Sequence, residues 1–219
     1  MLKRAAISLA AMAALFFVSA IYAPQLLAFP YKTQTAIGTV RSERPLDRAA
    51  LDKVASRTGA LLAQSPITEA AENRPIFLTD GGWRWLWLAN TARAGFALTR
   101  PVSRAVVVNA SNPARDVVSN GAPVAGTRSL SGTLAHEFTH GVLRRRYGLL
   151  AMAMQPQWKV EGYPDHVAQE SSFSAEEVEQ LEADGISHPA LPYYYGRQRV
   201  AERLAANGGS VDDLFASND

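Results

Sequence analysis

Residues 136–140 read His-Glu-Phe-Thr-His, and this pentapeptide restricts the architecture more than any other feature of the chain. Positions i and i+4 share one face of an α-helix, one turn apart. Two imidazoles so placed reach a single ion at a Zn–N distance of about 2.0–2.1 Å. The Glu137 carboxylate stands beside them, within reach of a water that such an ion acidifies. The segment therefore has to be helical, and Leu134, Phe138, Val142 and Leu143 supply an apolar face to pack it. The chain has no cysteine and only four histidines, at 136, 140, 166 and 188. Thiolate metal sites, thiol nucleophiles and disulfides are excluded, so a metal must be held by imidazole and carboxylate.

Catalytic zinc usually takes three protein ligands and leaves one position open. The third has to come from another segment, and on the residues alone the two remaining histidines and several carboxylates compete for it. Twenty residues, Gly141 to Val160, separate His140 from Glu161 in the block Trp158-Lys159-Val160-Glu161-Gly162-Tyr163-Pro164-Asp165-His166. HExxH followed by W-x-x-E-G resembles small bacterial gluzincin-like domains, of the thermolysin-like group of zinc metallopeptidases. The resemblance covers residues 128–170, and residues 30–125 only in general layout. It implies one zinc ion, with Glu161 on the next helix as third ligand. It also implies that Asp165, four residues on, orients a ligand imidazole, which suits the imidazole's need for a partner at its other N–H. Gly162 is read as leaving room near the metal. Two positions depart from the pattern. Pro164 fits a helix only if Glu161 lies near its first turn. His166 stands where such blocks often carry an aromatic residue.

His166 is a candidate alternative ligand or transition-state donor, set against a packed or surface histidine. His188 precedes Pro189 and reads as structural or exposed. Tyr193, Tyr194 and Tyr195 open a helical segment. In gluzincins a Tyr or His beside the metal often stabilises the oxyanion, so any one of the three is a candidate for that role. Trp83, Trp85 and Trp87 alternate and would share one face of a strand. Arg144, Arg145 and Arg146 suit the C-terminal dipole of the motif helix and read as a solvated face, with anionic lipid as the sharper alternative.

Lys3 and Arg4 precede a charge-free run from Ala5 to Phe29. A run of this length can span a bilayer, and it is read as a signal anchor over residues 1–29. A signal peptide cleaved near Val18-Ser19-Ala20 is the alternative. The positive-inside bias keeps Lys3 and Arg4 in the cytoplasm and puts the domain on the other side, periplasmic or extracellular, or secreted if cleavage occurs. The net charge of +2 is too small for a broad nucleic-acid surface.

The remaining 30–219 is long enough for one domain with a real core. Residues 30–44 read as strand and connector, with Thr35 to Val40 extended. Pro45 to Gln64 reads as an amphipathic helix with Pro45 in the first turn. Ile76 to Leu78 is a short strand closed by Asp80-Gly81-Gly82, Ala105 to Val108 a buried or edge strand, and Asn109 to Asn120 a loop. Ser129 to Arg146 is the longest helix. Ser174 with Glu177 forms a capping box, Pro192 to Ala206 is a further helix, and Ser210 with Asp213 starts a last short one. The expected fold is α+β and zincin-like. A small mixed sheet (residues 30–125) precedes the motif helix and a helical half (126–219). In zincins an edge strand borders the cleft and pairs with an extended peptide, a role expected near Val106 to Asn109.

The expected activity is zinc-dependent hydrolysis of a peptide or protein substrate, with Glu137 as general base. Hydrolysis of a non-peptide bond is a second reading. A metal-stabilised interaction domain without turnover is a third, and it has no use for Glu137.

Overall fold

The chain carries two sheets and eight α-helices among the residues described by its structure, a computed structural model. Those residues are 7–9, 11, 12, 14, 15, 19, 23–68, 73–100 and 103–217. Part of the run expected to anchor the chain lies outside them. Among the described residues no helix is long and apolar enough to cross a membrane.

A 3₁₀ turn at Pro24–Leu27 leads into strands β1 (Tyr31–Thr35) and β2 (Gly38–Ser42). The stretch expected to be continuously extended is thus broken by a turn at Ala36 and Ile37. Gly38 makes the turn at φ +132, where a Cβ would meet the Arg74 carbonyl at 2.1 Å. Helix α1 follows (Arg48–Leu62). It starts later than Pro45 because Asp47 is the N-cap, its carboxylate accepting from the Ala50 amide at 2.7 Å. Strand β3 (Ile76–Leu78) is fully buried.

Trp83–Ala89 is helix α2, not a strand. At about 100° per residue the three tryptophans diverge. Trp85 is buried against Leu88, Phe77 and Phe29, whereas Trp83 is exposed. Strands β4 (Ala97–Thr99) and β5 (Val106–Val108) complete a mixed sheet of order β1-β2-β3-β5-β4. The β2–β3–β5 pairings are parallel and the outer two antiparallel. Val106–Val108 is therefore interior, and the edge expected there belongs to β4. The segment expected as a loop after Asn109 forms β6 (Ala110–Asn112) and β7 (Val117–Ser119), which pair with β8 (Thr127–Ser129) in a small antiparallel sheet.

Helix α3 (Leu130–Tyr147) carries the His-Glu-Phe-Thr-His motif and is buried on all sides from Leu130 to Leu143. Around it stand α4 (Leu149–Met154), α5 (Gln157–Ala168), α6 (Ala175–Ala183), α7 (Leu191–Ala206) and α8 (Val211–Ala216). The capping box on Ser174 and Glu177 and the Ser210 cap both form. One apolar core joins the two halves. Val40, Leu51, Ile76 and Val108 from the first pack with Leu134, Phe138, Tyr163 and Val200 from the second.

Pro164 is the eighth residue of α5, in its interior instead of near the first turn. The Val160 carbonyl loses its i+4 donor there, yet the helix continues to Ala168 with Pro164 buried. Gly162 faces away from the motif. A Cβ there would lie 2.5 Å from the Gly196 carbonyl, so its role is the close crossing of α5 and α7, not space near a metal.

Candidate metal centre

The placement of α3 begins at its first turn. Ser129 is the N-cap, its hydroxyl accepting from the Gly132 amide at 3.0 Å. Glu170, just past α5, accepts from the Ser129 amide at 2.6 Å and from its hydroxyl. Asp116 accepts from both the amide and the hydroxyl of Ser131, each at 2.7 Å. Both carboxylates also complement the positive end of the helix dipole. Immediately after the motif, Gly141 admits the buried Arg74, whose guanidinium packs 5.2 Å from the Phe138 ring. A Cβ on Gly141 would fall 1.6 Å from an Arg74 nitrogen.

His136 and His140 project from one face of α3 with their Nε2 atoms 3.0 Å apart. Glu161, on α5, turns toward them. Its Oε2 is 3.4 Å from His136 Nε2 and 3.6 Å from His140 Nε2. Among the described residues these three are the group of His and acidic side chains able to share an ion. For a triangle with those sides, the point equidistant from the corners lies about 1.9 Å from each, marginally inside the Zn–N and Zn–O range of about 2.0–2.2 Å. His136, His140 and Glu161 would be the residues that hold such an ion.

Asp165, one turn after Glu161 and fully buried, holds the ring from behind. Its Oδ1 is 2.7 Å from His136 Nδ1, and it accepts from Arg128 Nη2 at 2.8 Å. This contact leaves Nε2, the outward nitrogen, available to an ion.

The charges around the pair favour a cation. Burial pushes the His136 imidazole down, but the charge and hydrogen bond of Asp165 and then those of Glu161 outweigh it and carry the pKa up to about 10. Burial pushes Glu161 up, and the hydrogen bonds from His136 and His140 outweigh it, holding the carboxyl far below the usual range. Asp165 is lowered as well: burial opposes ionisation, and the charges of Arg128 and His136 prevail. A divalent ion can replace the imidazolium proton in such a field.

Glu137 is buried on the flank of the histidine pair, toward the sheet. Thr99, the last residue of β4, brings its hydroxyl within 2.7 Å of Glu137 Oε2 and 2.9 Å of the Glu137 carbonyl. The edge strand is thereby fastened to the motif helix.

No family model, curated protein or solved structure matches the chain.

Of the three tyrosines, Tyr193 is the one that feels the cluster. Burial raises its hydroxyl pKa, and the negative charges of Glu161 and Asp165 add to the shift. Tyr194 packs edge-on against Tyr195, and Tyr195 donates to Glu182 at the surface. His166 stands apart from the cluster. It stacks on Tyr163, 6.3 Å between ring centres, in a groove between α5 and α7 beside Arg197. His188 Nδ1 accepts from the Ala190 amide, and the ring packs on Phe173.

Thr99, Arg128, Glu170 and Arg74 were not legible as site residues. Thr99 lies 38 positions from Glu137, and Arg128 lies 37 from Asp165. No local pattern marks either pair.

Proposed function

We propose that the chain is a membrane-anchored zinc metallopeptidase of gluzincin type, with a zincin-like fold. The observation that carries this reading is the triangle of His136 Nε2, His140 Nε2 and Glu161 Oε2 with the Glu137 carboxylate beside it. Two imidazoles and one carboxylate suit zinc. When bound, the ion supplies positive charge that polarises a carbonyl and acidifies water.

The remaining chemistry belongs to the chain. Thr99 holds Glu137 Oε2 and leaves Oε1 to take the proton of the attacking water and hand it to the leaving amine. Asp165 keeps His136 in one tautomer and orientation. Tyr193 remains protonated and offers a hydroxyl to the developing oxyanion. The exposed side of β4 offers main-chain pairing to an extended peptide, with β5 occupying its other side. Glu137 argues for turnover over a purely structural metal, since ligation leaves it unused. The apolar run before Phe29 would hold the domain at the outer face of a membrane.

The test is zinc content together with cleavage of a peptide library by the full chain in detergent. About one zinc per chain with peptide cleavage is expected. A metal-loaded chain that cleaves no peptide would refute the peptidase reading.

A further inference from the structure

Helices α5 and α7 come closest at Gly162 and Gly196, and a groove opens between them beyond that crossing. On α5, Tyr163, His166 and Val167 stand at i, i+3 and i+4 and share one face. On α7, Arg197, Ala201 and Ala205 recur every four residues and share another. The two alanines in that row are too short to close the space. The groove holds about 880 Å³ and is completed by Ser65 and Pro66 after α1 and by Val211 at the start of α8. Small-molecule sites fall in the range of about 300–1,000 Å³.

The polar groups in the groove are of two kinds. Some are already engaged. The Tyr163 and Ser65 hydroxyls bond each other at 2.7 Å, and the Gln169 amide donates to Gln64. Two are not. The half-buried Arg197 makes no side-chain hydrogen bond or ion pair with a described residue, and His166 has only the stacking on Tyr163. Burial and then the Arg197 charge push the His166 pKa down, so at neutral pH the imidazole is uncharged and offers one donor and one acceptor. None of the described residues that line the groove is acidic. Val167, Leu204 and Val211 join the two alanines to supply the apolar part of the wall.

A groove with one positive charge and no negative one selects a monoanion. The planar guanidinium fork fits the two oxygens of a carboxylate. The apolar wall calls for an apolar body behind that group, since a small hydrated ion would leave it uncovered.

We infer that the groove is a ligand site for a monocarboxylate on an apolar chain, with Arg197 taking the two oxygens, His166 donating a further hydrogen bond, and the chain lying along Val167, Ala201 and Leu204. A free aliphatic acid and the C-terminal residue of a short apolar peptide share this chemistry. None of His136, His140 and Glu161 lines the groove, so the inference goes beyond the metal and peptidase readings and does not rest on them.

The experiment uses the full chain in a non-ionic detergent, with the histidine rings followed by NMR and the His166 signal assigned by its loss in His166→Phe. The probes are hexanoate, N-acetyl-leucine, hexanol and inorganic phosphate at equal concentrations. Saturable shifts of the His166 signal with the two acids or either of them, and not with hexanol or phosphate, are the expected result. The tighter of the two acids identifies the source. Arg197→Gln should weaken that binding about tenfold or more, as loss of a hydrogen bond to a charged group does. Ala201→Leu fills the groove and should abolish the shift. Arg197 has no ion pair to lose, so its variant keeps the test decisive even if Ala201→Leu does not fold. Equal shifts with hexanol would make the groove a purely apolar pocket, and equal shifts with phosphate an unselective anion site. Either result overturns the inference, as do four silent probes or undiminished binding of the acids by Arg197→Gln.

Discussion

Asp165 and His136 meet across the α3–α5 interface, Oδ1 to Nδ1 at 2.7 Å, and the same carboxylate oxygen accepts from Arg128 at 2.8 Å. One buried carboxylate thus orients an imidazole of the candidate metal triad and neutralises a buried guanidinium. Replacing it with the isosteric amide keeps the shape and removes the charge. Asp165→Asn is expected to weaken zinc affinity about 10–100-fold. Chelator competition on the purified chain measures it, and unchanged affinity would sink the orienting role.

Glu161 is expected to behave differently, because it supplies a corner of the triangle directly. Glu161→Ala should leave most chains without zinc and abolish activity, with metal content read by mass spectrometry. A Glu161→Ala protein that keeps its zinc would mean that the third ligand lies elsewhere.

Glu137→Gln should keep the metal and lower turnover about 10²–10⁴-fold, the range for loss of a positioned general base. Thr99→Val removes only the hydroxyl that holds Glu137. One hydrogen bond to a charged group is worth about 1.5–3 kcal/mol, so kcat should fall roughly tenfold or more with KM little changed. A Thr99→Val variant with the kcat of the unaltered chain would show that the contact has no catalytic role.

The crossing at Gly162 sets the distance between α5 and α7. A Cβ there would meet Gly196 backbone at 2.5 Å, and backbone cannot swing aside as a long side chain can. Gly162→Ala is expected to cost about 1–3 kcal/mol. Chemical denaturation should register it as a lower midpoint. A midpoint equal to wild type would place slack in the interface.

What the sequence determined by itself was local. The i, i+4 spacing of His136 and His140 demanded a helix, and Ser129, Ser174 and Ser210 marked helix starts that form where they were expected. The α+β class followed from short β-branched segments before a helical half. Such features depend on neighbours within one or two turns, so they survive in a single line of letters. The tryptophan alternation misled because the same spacing is compatible with a strand. Only burial of Trp85 on the core, with Trp83 left in water, chose the helix. The tertiary structure decided the rest. It put β4 instead of β5 at the sheet edge, and it brought Thr99 to Glu137 and Arg128 to Asp165. It also brought Tyr193 within reach of the charge on Glu161, and assigned Gly162 to helix packing. These contacts join residues far apart in the chain, and their geometry arises from packing whole elements against one core, which no local pattern encodes.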